Sequence, residues 1–105
     1  METRVELSEQ VVRFVASRAP EPRALLRAAL RGLAKERGDI RVLEGPLENY
    51  HRLRVGGYRI IFAYALLGKR RVIRCIFAER RSAVYETFQR LLRRHLLDVA
   101  VRGRS

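Results

Sequence analysis

A chain of 105 residues, 48% of them apolar, is long enough to fold as one domain, 1–105, around its own core. No apolar run nears the roughly eighteen residues of a membrane helix, METRVELSEQ has no signal-peptide hydrophobic stretch, and one cysteine with two scattered histidines gives neither a redox pair nor metal-ligand spacing. The expectation is a cytoplasmic protein without membrane, metal or small-molecule cofactor, and the formal net charge of +12 directs attention to an anionic partner.

The alternation in Arg4–Leu7 predicts a short first strand. Ser8 is placed to cap a helix with Glu9 in its first turn, and Val11, Val12, Phe14 and Val15 recur at helical spacing to about Arg18. Pro20 and Pro22 end it, and Pro22 suits the first position of a second helix. There Leu26, Ala29, Leu30 and Leu33 make an apolar stripe, Arg23, Arg27, Arg31 and Lys35 a cationic one, and Gly38 is the stop. From Asp39 the pattern turns to period two until Gly45-Pro46 breaks it.

Three longer strands follow: 50–55, then 58–65 after the tight-turn signal Gly56-Gly57, then 71–78 after Leu67-Gly68-Lys69-Arg70. Cys75, within VIRCIFA, reads as a small buried residue. Ser82 is the expected cap of a last helix, with Val84, Tyr85, Phe88, Leu91, Leu92 and Leu96 on its apolar side, and 102–105 reads as a tail. The order β-α-α-β-β-β-α is that of an α+β domain, an antiparallel sheet with an N-terminal helical hairpin and a C-terminal helix.

The charge is lopsided. Residues 1–49 hold nine Lys/Arg against eight Asp/Glu, whereas residues 50–105 hold fourteen against three. The surplus starts at RLRVGGYRIIF, residues 52–62. If Leu53 and Val55 face the core, alternation puts Tyr50, Arg52 and Arg54 on the opposite, open face, and Ile60, Phe62 and Tyr64 in the core bring Arg59 beside them. Three like charges this close repel unless an anion sits among them. Arg80, Arg81 and Tyr85 close the same concave face, a phosphate cradle beside an aromatic ring of the kind that binds single-stranded RNA. Tyr85 equally fits a core position, His51 reads as a core histidine, and His95 as a helix-surface residue.

The hairpin, preceded by Leu43-Glu44-Gly45 and followed by ERRSAVY at 79–85, resembles the RelE/ParE superfamily of bacterial type II toxin–antitoxin toxins over nearly the whole chain. The resemblance implies a RelE-like, microbial-ribonuclease-like fold. It also implies one of two activities: metal-free endoribonuclease cleavage of messenger RNA on the ribosome, inhibiting translation, or ParE-like inhibition of DNA gyrase by protein binding. A relative that keeps only the fold is a third reading. Arg59 then corresponds to the arginine on the scissile phosphate, and Arg52 and Tyr50 to two positions that are lysines in ribonuclease members. Arg81, or Arg80 across a small gap, corresponds to the arginine near the end of the last strand, and Tyr85 to the tyrosine that orients the nucleotide.

The expected catalytic set is therefore Arg59, Arg81, Tyr85 and Arg52, with Tyr50, Arg54, Arg80 and Arg74 as further RNA contacts. Arginine can stabilise a pentavalent phosphorane but is a poor base, so the base stays open among Tyr50, Tyr85, His51, Glu44 and Glu48. Ribonuclease is the first reading. The implied partners are messenger RNA, the ribosome and a cognate acidic antitoxin, whose carboxylates would meet the Arg23/Arg27/Arg31/Lys35 stripe and the groove arginines, or whose strand would extend a sheet edge.

Overall fold

The computed structural model describes residues 3–94; His95, Leu96 and the 102–105 tail lie outside them. Strand β1 (Arg4–Leu7) leads into helices α1 (Glu9–Ala16) and α2 (Pro20–Leu33). Strands β2 (Asp39–Val42), β3 (His51–Val55), β4 (Tyr58–Leu67) and β5 (Arg70–Arg80) follow, and α3 (Val84–Arg93) closes the described chain. Ser8 caps α1 as its sequence position requires, accepting from the Val11 amide, and its hydroxyl also donates to the Ile76 carbonyl at 2.8 Å. Pro20, two residues earlier than expected, is the first residue of α2. Ser82 does not cap α3: Ala83 holds that position and no side chain bonds there.

The α+β class stands, with two refinements. Asp39–Val42 forms a fifth strand, and the sheet order is β1-β5-β4-β3-β2. The meander from β2 to β5 is antiparallel, but β1 joins β5 in parallel, so the whole sheet is mixed. Side chains prolong that parallel seam past β1. The Gln10 amide brackets Ala78, donating to its carbonyl and accepting from its amide, both at 2.8 Å.

Neither face of the sheet is open along its length. On one side Val11, Phe14 and Val15 of α1 and Leu26, Leu30 and Leu33 of α2 pack on Leu53, Ile60, Phe62, Ile73, Cys75 and Ala78. On the other, Val84 and Phe88 of α3 pack on Ile61, Ala63, Ile76, Phe77, Leu47 and Tyr50. A bulge between the pairs Ile61–Phe77 and Phe62–Cys75 makes the second core possible. Ile76 and Phe77 are consecutive, yet the bulge lets both point toward α3. Phe88 is fully enclosed there, and truncating such a ring to alanine costs about 3–5 kcal/mol.

Candidate nucleic-acid interface

The arginines gather beyond the end of α3, where the hairpin stands clear of it. Gly56 at φ +57 starts the two-residue turn, with Val55 paired to Tyr58 on either side. This register lines up one cross-strand row on the α3 side of the sheet: Asp39, Arg54, Arg59 and Glu79, one from each of β2 to β5. The next row toward α3 is Arg41, Arg52, Ile61 and Phe77. Two facing guanidinium groups are thus flanked by an acid on each outer strand, which moderates the cross-strand repulsion.

Part of the anion expected among the arginines belongs to the chain. Arg52 is 9% exposed, and its Nη1 donates to the Asp39 carbonyl at 2.9 Å and to Asp39 Oδ1 at 3.2 Å. The second carboxylate oxygen lies 3.9 Å from Arg54, which is itself exposed. Arg59 differs. It is also 9% exposed rather than free in solvent, and Nη1 donates to the carbonyls of Gly56 at 2.9 Å and Tyr58 at 2.8 Å. Among the described residues it has no carboxylate partner, and its Nε and Nη2 donate to nothing although they are not sealed from solvent. Glu79, its row neighbour, accepts instead from the Arg80 amide at 2.9 Å. Arg59 is a preformed cationic group, held by backbone and lacking a counter-ion among the described residues.

Arg81 stands at the same end. Its amide donates to the Gly57 carbonyl at 2.9 Å, tying the turn to the end of β5, while its side chain is exposed. Beside these groups an open groove of about 350 Å³ runs between β2 and α3, lined by Arg41, Val42, Leu43, Glu44, Leu47, Arg52 and Tyr85. Tyr85 is half-buried along this wall, packed against the α3 core while reaching the groove.

Three expected contacts fall elsewhere. Tyr50 is 7% exposed and packs edge-on against Phe88 with ring centroids 5.0 Å apart. Burial pushes its phenol above the ordinary value, the opposite of what a base requires. Arg80 pairs with Tyr58 and so lies on the α1–α2 side, away from the cluster, because the alternation that keeps Arg59 and Glu79 together excludes it. Arg74 is on the α3 side, but five residues from Glu79, about 16 Å along the strand. It forms an ion pair with Glu6, Nε to Oε1 at 2.9 Å, oriented off the hydrogen-bonding axis.

His51 stacks on Phe62 and meets Tyr64 edge-on, so it lies on the core side as expected, but it is only half-buried and its Nδ1 has no hydrogen-bond partner among the described residues. Burial and then the Arg71 charge lower its basicity, and the register points it away from the groove. Of the groups considered as bases, Tyr85 and Glu44 line the groove. The sequence reading missed Arg41 and Asp39. Their signal was the period-two run at 39–42, whose pairing with β3 sets Arg41 beside Arg52 and Asp39 beside Arg54.

No protein-family model and no curated protein sequence matches the chain. Solved structures do. The toxin–antitoxin complex RelBE2 from Mycobacterium tuberculosis matches with a TM-score of 0.64 at 17% identity, over 77% of this chain and 100% of that one. A YoeB/ParE toxin from Agrobacterium tumefaciens matches with a TM-score of 0.60 at 11% identity, over 75% and 99%. The archaeal RelE–RelB complex from Pyrococcus horikoshii gives a TM-score of 0.58 at 27% identity, over 77% and 97%. The likeness spans 97% or more of each matched chain and about three quarters of this one. The chain therefore has the fold of these RelE and YoeB/ParE toxin structures.

Proposed function

We propose that the chain is the toxin of a toxin–antitoxin pair and cleaves messenger RNA as a metal-free endoribonuclease, on the ribosome, so that translation stops. The observation that carries this is Arg59: a guanidinium fixed by two carbonyls and, among the described residues, without a carboxylate and with donors left over. Such a group is preorganised for the charge that develops on a phosphorane as the 2′-hydroxyl attacks, and stabilisation of that kind is the term arginine supplies best. Arg54 and Arg81 flank it for the adjoining phosphates, and Tyr85 offers a ring for a base beside them. Arg52 contributes field rather than a direct contact, since Asp39 occupies it.

That engagement of Arg52, together with the burial of Tyr50, is also what favours the second reading. Two positions that would strengthen a cleavage set are committed to the fold, as suits a ParE-like gyrase inhibitor. The partner in either case is an antitoxin, as in the complexes of the structural relatives. An acidic, partly disordered chain answers the +12 charge, and the exposed Arg27 and Arg31 on α2 offer it landing points away from the groove. Induced expression separates the readings. Primer extension on an abundant messenger RNA should show new breaks within minutes, absent in the Arg59→Gln variant. Intact messenger RNA with relaxed plasmid DNA would instead establish the gyrase reading.

A further inference from the structure

We infer that the groove between β2 and α3 is a nucleobase pocket selective for guanine, with Glu44 as the group that reads the base; this rests on the RNA reading above. Its volume of about 350 Å³ is at the small end of ligand sites, and Leu43 and Leu47 give it apolar walls. Tyr85 adds an aromatic face that makes no ring contact with another described aromatic residue. Stacking alone would take any base. The polar groups decide which.

Among the described residues Glu44 is the only acid on the groove wall, and its carboxylate has no hydrogen bond or ion pair with any of them. It stands at the cap position of the 3-10 turn Gly45–Leu47 without bonding that turn. It also leaves Arg41 and Arg52 unpaired by it, although both share its groove and Arg52 is held by Asp39. Glu44 is an exposed carboxylate on the groove wall, so its acceptors are open to a ligand there.

A carboxylate offers two acceptors side by side and no donor. On the Watson–Crick edges of the four RNA bases, only guanine presents two adjacent donors, N1–H and the N2 amino group. Adenine and cytosine set their amino group beside a lone pair, and uracil flanks its single N–H with two carbonyls, so each would face a carboxylate with repulsion. Unstacked bases of single-stranded RNA are read on these edges. The pocket also has the right offset from the phosphate site. Arg52, on its wall, is two residues along β3 from Arg54, about 7 Å, comparable to the reach from a backbone phosphate to its base.

The test is competitive binding of single-stranded oligouridylates carrying one central guanine, inosine or adenine, to the full chain and to Glu44→Gln. The expected order is guanine over adenine by about tenfold with inosine, which lacks the amino group, between them. In Glu44→Gln the guanine advantage falls to within about twofold, while RNA affinity as a whole rises because a negative charge is gone. Equal affinity for the three oligonucleotides, or a guanine preference that survives the substitution, overturns the assignment and leaves the RNA reading intact. Absence of binding to all of them overturns both. Guanosine monophosphate displacing the guanine oligonucleotide at equal concentration overturns the RNA source and makes the groove a free-nucleotide site.

Discussion

Replacing Asp39 by asparagine should weaken the fold and strengthen RNA binding, an opposition of signs that few other single changes would give. The amide oxygen can still accept from Arg52, and the Asp39 backbone carbonyl, 2.9 Å from Nη1, is untouched, so the perturbation is mainly loss of charge. The Arg52 side chain is 10% exposed but that of Asp39 is 50% exposed. The cost therefore belongs nearer the 1 kcal/mol of a solvated pair than the roughly 3–5 kcal/mol of breaking a buried one. For a domain of this length, that lowers the melting temperature by about 4–8 °C.

At the same time Arg52 and Arg54 lose the carboxylate that lies 3.2 and 3.9 Å away and become available to phosphate. The logarithm of the RNA association constant against that of salt should steepen by about 0.7 for each arginine recruited, so by about 0.7–1.4 in all. Calorimetry and fluorescence anisotropy over a salt series read the two effects on one preparation. Weaker binding with an unchanged slope would refute the reasoning. It would mean that the Asp39 row does not face RNA and that the pair serves the fold alone.

Arg59→Gln should remove about one phosphate contact, flattening the salt slope by about 0.7, and the loss of a charged donor to two carbonyls should cost about 1–3 kcal/mol in urea unfolding. A full-strength slope in that variant would take Arg59 out of the site. His51 makes a pH signature: its folded pKa lies below the ordinary 6.5, so the unfolded chain takes up the proton first. Its contribution is therefore complete above pH 6.5 and declines as pH falls below it, and His51→Phe should flatten that step in melting temperature between about pH 7 and 5.5. A wild-type midpoint that rises on acidification over this range would contradict the sign. Gly38→Ala should cost about 1–3 kcal/mol, since Gly38 sits at φ +125 and an added Cβ would stand 2.7 Å from Leu53 Cδ1 in the core. Gly45→Ala, with nothing within 4 Å of the new methyl, should cost less, and equal losses would remove the clash from the explanation.

Helix faces were legible because each buries a broad stripe: Leu26, Leu30 and Leu33 stand out by spacing alone. The β3–β4 hairpin was legible because Gly56-Gly57 allows the positive φ that a tight two-residue turn needs, and Gly56 adopts it at +57. Strand β2 was not counted, since three of its four residues are exposed and Ile40 alone packs against the core. The second core was hidden by the bulge, which breaks strict alternation at Ile76 and Phe77 and so conceals that both faces of β5 are buried. Assuming one open face made Tyr50 look like an RNA contact, whereas it enters β3 from the turn at Gly45–Leu47 and lands on Phe88. Arg59 with Arg54 followed correctly from alternation, but the carboxylate that quiets Arg52 and Arg54 comes from another strand, and pairing across strands is not written in local pattern.

The most direct measurement maps the ends of messenger RNA in a translating extract supplied with the purified chain. If Arg59 stabilises attack by the 2′-hydroxyl, the upstream fragments end in a 2′,3′-cyclic phosphate and the downstream ones begin with a 5′-hydroxyl, and both vanish with Arg59→Gln. Messenger RNA left intact by an active preparation that instead blocks supercoiling by gyrase would contradict the account.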